Sequence, residues 1–148
     1  MAGENWEDVR EIQNLALRYA RSVDRQDGEA FADLFTADAV LDGSGYLSQG
    51  REQLARIPSF TASRWAKTFH AVHNHLISID GDAATGEVYC AARHLKDDGG
   101  AMTVLEMVIR YQDAYVRTPG GWRFAKRTLI VEWTETRTAA AHTPPPRR

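Results

Sequence analysis

The sequence predicts an α+β fold: N-terminal helices packed inside a strongly curved antiparallel sheet that forms a cone-shaped cavity. Apolar residues repeat at steps of three and four near the N-terminus and alternate in the second half, the signatures of a helix and of strands. The turn signals Asp80-Gly81-Asp82, Asp97-Asp98-Gly99-Gly100 and Thr118-Pro119-Gly120-Gly121 divide that half into four strand-like stretches. These run over 67–79, 83–96, 101–117 and 122–135, well beyond the usual five or six residues or so. Strands that long must coil, and a coiled sheet that holds helices in its curve encloses a cone.

The first helix rests on Val9, Ile12, Ala16, Tyr19 and Val23, which form one apolar stripe of roughly four to five turns. Asp27-Gly28 breaks it, and Asp27 is the expected N-cap of a second helix that buries Ala30, Phe31, Leu34 and Phe35. Thr36-Ala37-Asp38 reads as a turn, Ala39–Asp42 as a short strand ended by Gly43-Ser44-Gly45, and 50–57 as a third helix stopped by Pro58. Each later turn is short enough for a hairpin, so the simplest topology is an antiparallel meander. Residues 1–138 form one expected domain, and 139–148, ending in Pro144-Pro145-Pro146-Arg147-Arg148, an extended or disordered tail.

Composition narrows the function classes. The chain has 148 residues, 43% hydrophobic and 26% charged, with a net charge of −2, an ordinary soluble balance. No basic stripe marks a nucleic-acid partner, and no apolar run approaches a membrane span. The single cysteine, Cys90, precludes an internal disulfide and, with no signal-peptide pattern at the N-terminus, suggests a cytoplasmic protein.

Strand alternation places His70, Val72, Asn74, Leu76 and Ser78 on one face, with Phe69, Ala71, His73 and His75 on the other unless a bulge intervenes. Val88, Cys90, Ala92 and His94 share a face on the next strand, where small residues beside His94 leave room for a ligand. Arg127 shares a face with Leu129, Val131 and Trp133, and a guanidinium there needs an anion or an acceptor. Each residue also has an ordinary structural reading. Asp24 can end a helix, His70 can bond to backbone, Tyr19 can be core, and Arg127 can pair with Glu132 or Glu106. His73 and His75 invite a metal, but no third ligand or zinc motif completes a site. Cys90 lacks an activating motif, and Gly43-Ser44-Gly45 lacks a nucleophile elbow.

The runs Leu17-Arg18-Tyr19-Ala20…Asp24-Arg25-Gln26-Asp27, Leu34-Phe35-Thr36-Ala37-Asp38-Ala39, Phe69-His70-Ala71-Val72-His73-Asn74 and Gly120-Gly121-Trp122-Arg123-Phe124…Arg127 resemble SnoaL-like proteins of the NTF2-like superfamily. The resemblance spans about residues 7–135 and is nearest in motif to the scytalone dehydratase, bile-acid 7α-dehydratase and hexachlorocyclohexane dehydrochlorinase group. It implies a cofactor-independent, metal-free lyase with an Asp–His dyad, which maps to Asp24 and His70, with the helix tyrosine at Tyr19 and a second histidine at His94. A cavity arginine maps to Arg127, with Arg117 as the rival.

On that reading His70 is a general base, and Asp24 fixes its tautomer and stabilises the imidazolium. Tyr19 would donate to a substrate oxygen, and His94 or Arg127 would hold that oxygen or assist the leaving group. The expected substrate is small, largely apolar and cyclic or aromatic, bound by Phe35, Trp65, Phe69, Cys90 and Trp133. Dehydration is the preferred reaction; isomerisation, polyketide cyclisation or simple ligand binding on the same scaffold are the alternatives. The sheet's outer face, expected to bear Tyr89, Met107, Ile109 and Tyr111, calls for cover, and the resemblance implies that further copies supply it in a homodimer or homotrimer.

Overall fold

The computed structural model describes residues 5–147. Its elements run α1 (Trp6–Asp24), α2 (Gly28–Ala32), β1 (Phe35–Gly43), β2 (Tyr46–Gln49), α3 (Gly50–Ala55), α4 (Ile57–Arg64), β3 (Lys67–Asp80), β4 (Ala83–Asp97), β5 (Met102–Thr118) and β6 (Gly121–Ala139). Six strands form one curved sheet in the order β2-β1-β6-β5-β4-β3. The meander from β3 to β6 is antiparallel as expected, but β1 lies parallel to β6, so the sheet is mixed.

Two local expectations are corrected. Pro58 does not stop a helix after residue 57; it lies in the first turn of α4, where its missing N–H has no helical partner to lose. Thr36-Ala37-Asp38 is not a free turn but lies inside β1, where the register against β6 slips between Phe35 and Val40. Residues 140–147 carry no helix or strand.

Helix α1 lies in the curve of the sheet and is fastened at both ends. Near its start, Asp8 accepts two hydrogen bonds from Arg117, at 2.6 and 2.8 Å, and one from the Trp122 indole at 2.9 Å. Glu11 accepts from the Trp122 amide at 2.9 Å. At the far end Asp27 N–H reaches Ser22 C=O and Gln26 N–H reaches Val23 C=O, closing a Schellman motif with Gln26 at φ 59°. Asp27 then caps α2 by accepting from Ala30 N–H at 3.0 Å. Gly28 lets α2 approach α3: a Cβ there would lie 2.2 Å from the Ala55 carbonyl oxygen.

The narrow end of the cone is filled by Phe31, Phe35, Phe124, Tyr115 and the ring of Tyr19, stacked at centroid distances of 4.9–6.3 Å. Such tilted and edge-on contacts add to the hydrophobic gain of burying the rings.

One residue of offset in β3 decides which side chains face inward. Val72 pairs with Cys90 and His75 with Val88, so His73 and Asn74 together oppose Tyr89. The bulge reverses the alternation beyond it: His75, Ile77 and Ile79 point in, while Asn74, Leu76 and Ser78 turn outward, contrary to the unbroken alternation.

Candidate active site

Asp24 ends α1 in the last helical turn, where the carbonyl end of the helix disfavours a negative charge. What holds it there comes from β3. Its Oδ1 lies 2.7 Å from His70 Nδ1 and accepts from Thr68 Oγ1 at 2.8 Å, and its Oδ2 accepts from the His70 amide at 3.0 Å. Asp24 is therefore an acceptor for the strand rather than a helix cap. Burial pushes its pKa up, but the His70 ring and amide, the His70 charge and Thr68 outweigh burial and hold the carboxyl below its usual value. With Nδ1 turned to the carboxylate, His70 Nε2 has no protein partner among the described residues.

His70 faces a cavity of about 480 Å³ between α1, α4 and the sheet, within the size range of small-molecule sites. Its interior is lined by Tyr19, Val23, Trp65, His94, Met107, Ile109, Tyr111 and Leu129. Tyr46, Ser44 and Ser48 of the β1–β2 hairpin, with Gln53, Arg56, Ile57, Phe60, Thr61 and Arg64 from α3, α4 and their junction, complete it. Burial raises the Tyr19, Tyr46 and Tyr111 hydroxyls above the usual phenol value, so all three are neutral donors. The His94 ring stands 5.7 Å from that of His70 and 5.2 Å from that of Trp65. Burial and the neighbouring His70 lower the His94 pKa, and its buried Nδ1 has no hydrogen-bond partner among the described residues.

Apart from Arg127, the expected site residues separate into three groups. Asp24, His70, Tyr19, His94 and Trp65 come together, Asp24 behind the His70 ring and the others on the cavity wall. Phe35 and Cys90 point inward but belong to the packed core, and burial pushes the Cys90 thiol up to about 12. Phe69 and Trp133, 61% and 57% exposed, lie outside the lining. Phe69 is out of phase with His70, and a bulge in β6 turns Trp133 out: Ile109 pairs with Val131, but Val108 with Trp133.

Arg127 is corrected from cavity ligand to core. It binds Asp113 through two hydrogen bonds of 2.8 and 2.7 Å, and its guanidinium lies 4.4, 3.9 and 4.4 Å from the ring centroids of Tyr19, Tyr111 and Phe124. Its partner is Asp113, not Glu132 or Glu106, which bind Arg110 and the pair Arg93 and Arg137. Arg117 is equally committed, to Asp8 and Asp82. Tyr46 and Tyr111 are the polar groups that sequence reasoning missed. Tyr111, Met107 and Ile109 were assigned to the outer face, whereas their pairing opposite Val88, Ala92 and Cys90 puts them inside. Inward Val88 and Cys90 were legible by alternation; the register joining them to β5 was the absent signal.

No group of three or more metal-ligating side chains occurs among the described residues. No helix among them is long and apolar enough to cross a membrane.

A curved sheet wrapped around an N-terminal helix is the NTF2-like α+β fold. The chain belongs to the SnoaL-like domain family, whose pattern matches residues 4–128. An uncharacterised protein of Mycobacterium tuberculosis is 29% identical over 122 residues, covering 81% of this chain and 82% of that one. Among solved structures, a putative scytalone dehydratase from Novosphingobium aromaticivorans superposes with a TM-score of 0.80 at 21% identity, covering 100% and 99% of the two chains. A hexachlorocyclohexane dehydrochlorinase from Novosphingobium barchaimii reaches 0.81 at 19% identity, covering 95% and 97%. At those identities the likeness is one of fold.

Proposed function

We propose that this protein is a lyase that removes a C–H proton from a small, largely apolar cyclic or aromatic substrate and expels water from the adjacent carbon. The observation that carries the reading is the 2.7 Å contact between Asp24 and His70 Nδ1, which leaves Nε2 unbonded beside the cavity. Ionised Asp24 accepts the Nδ1 proton, so Nε2 is the basic nitrogen. His70 Nε2 takes the substrate proton, and the C–H electron pair forms the new double bond. The C–O bond breaks, and the departing hydroxide takes a proton from the imidazolium to leave as water. Asp24 stabilises that imidazolium while it lasts. Neutral Tyr19, Tyr46 and Tyr111, which line the same cavity, donate to an enolate-like oxygen, and neutral His94 holds the departing hydroxyl. The dehydratase and dehydrochlorinase names carried by proteins of the same fold agree with elimination.

Incubation with hydroxylated cyclic ketones, followed by mass spectrometry, tests the reading. Loss of one water that disappears in His70→Ala supports it. A product of unchanged mass assigns isomerisation or cyclisation to the same dyad, and full activity in His70→Ala overturns the role of the base.

A further inference from the structure

We propose that the substrate carries an oxyanion at the end remote from the reacting carbon, and that Arg64 holds it at the cavity mouth. The inference rests on the lyase reading for the orientation of the substrate, but it concerns the substrate's charge, which the dyad leaves open.

The charge pattern of the wall points there. No Asp or Glu lines the cavity among the described residues; Asp24 stands behind His70 on the other side of the ring. The wall instead offers phenols and imidazoles within and two guanidiniums, on exposed Arg56 and Arg64, at the rim. Arg56 is already bound to Glu52, one turn earlier. Arg64 has no carboxylate partner among the described residues, and its guanidinium lies 5.5 Å from the centre of the Phe60 ring. Arg10, Arg18, Arg21, Arg25 and Arg123 also stand without a carboxylate partner among the described residues, but none of them lines this cavity.

A cation in the last turn of α4 also suits the helix dipole, but lysine would serve that purpose equally. What the dipole does not call for is a planar fork on the wall of a cavity that contains no acid. Guanidinium matches the geometry of carboxylate and phosphate oxygens and binds them through paired, charge-assisted hydrogen bonds. Phe60 and Ile57 lie on the same stretch of wall, so a ring can extend from His70 past apolar side chains to an anionic group at Arg64.

The test is calorimetric binding of three probes that share one ring system: 2-naphthoate, 2-naphthyl phosphate and neutral 2-naphthamide. Both anions should bind about tenfold more tightly than the amide. Arg64→Gln should remove that preference and leave amide binding within about twofold, and Arg64→Lys should restore part of it, since charge returns without the fork. High salt should weaken the anions alone. A larger Arg64→Gln effect on the phosphate than on the carboxylate assigns a phosphorylated handle; the reverse assigns a carboxylate. Amide binding as tight as that of the anions, a preference unchanged in Arg64→Gln, or no binding of any probe overturns the proposal. His70→Ala should keep the parent's preference for the anions over the amide, whatever it does to binding of the shared ring, so a failure of the base in turnover assays leaves this result standing, and the converse also holds.

Discussion

Asp24 holds His70 twice, by the imidazole Nδ1 at 2.7 Å and by the backbone amide of the same residue at 3.0 Å. One carboxylate thus sets both the tautomer of the ring and the position of the strand that bears it. Asparagine cannot replace it cleanly, because its NH₂ must face either the His70 amide or the Nδ1–H and Thr68 hydroxyl, all donors. Asp24→Asn should therefore lower turnover about a hundred- to ten-thousand-fold and also lower the melting temperature. His70→Ala should lose activity without the donor clash at Asp24. Calorimetry beside kinetics distinguishes the two, and a fully active Asp24→Asn enzyme would refute the pairing as the source of basicity.

The Asp113–Arg127 pair predicts a stability effect instead. Arg127→Met leaves Asp113 charged among aromatic rings without its partner, and losses of about 3–5 kcal/mol are typical of half-broken buried pairs. Urea melts of Arg127→Met and of a double variant with Asp113→Leu check this: the double variant should recover much of the loss.

Tyr115 links that pair to His75: its hydroxyl lies 3.1 Å from His75 Nε2 and donates to Asp113 at 2.8 Å. Burial, opposed by Asp113 and aided by Arg127, lowers the His75 pKa to about 4. The unfolded chain binds the proton first as pH falls, so stability should drop from about pH 6.5 towards 4 and the loss should level off below that. His75→Phe should flatten this limb in urea melts between pH 7 and 4. Asp8, held down to about 2 by Arg117 and Trp122, acts later: its contribution is present above about pH 4 and is lost as pH falls to 2.

A second copy is the proposed cover for the outer face of the sheet, where Trp133 and Tyr89 are 57% and 43% exposed. Sedimentation at micromolar concentration should give a dimer or trimer, and Trp133→Glu should shift it to monomer. A monomeric parent protein would rule the assembly out.

Helix α1, its end at Asp24 and the placing of His70 were legible because each depends on a short uninterrupted period beside a clear turn. What was illegible followed from single-residue offsets. The β5–β6 hairpin starts with Thr118 opposite Gly121 and Tyr115 opposite Phe124; continued unbroken, that register sets Asp113 against Lys126. The slip between Ala114 and Tyr115 sets it against Arg127 instead. The buried ion pair, and with it the withdrawal of Arg127 from the cavity, depends on that slip. A second slip sends Trp133 outward. Period-two alternation carries no mark of where such a residue is inserted, because the flanking side chains remain compatible with either phase.

The bulge at His73 and Asn74 lets one strand serve two chambers. Before it, His70 lines the cavity and Thr68 supports Asp24 behind it; after it, His75, Ile77 and Ile79 belong to the far core with Tyr115. Removing one of those two residues would restore unbroken alternation with Val72 still opposite Cys90 and His75 still opposite Val88, so both halves of the strand would keep their present faces. The joint thus separates two mutational neighbourhoods: the cavity end can change while the far end stays in register with the core.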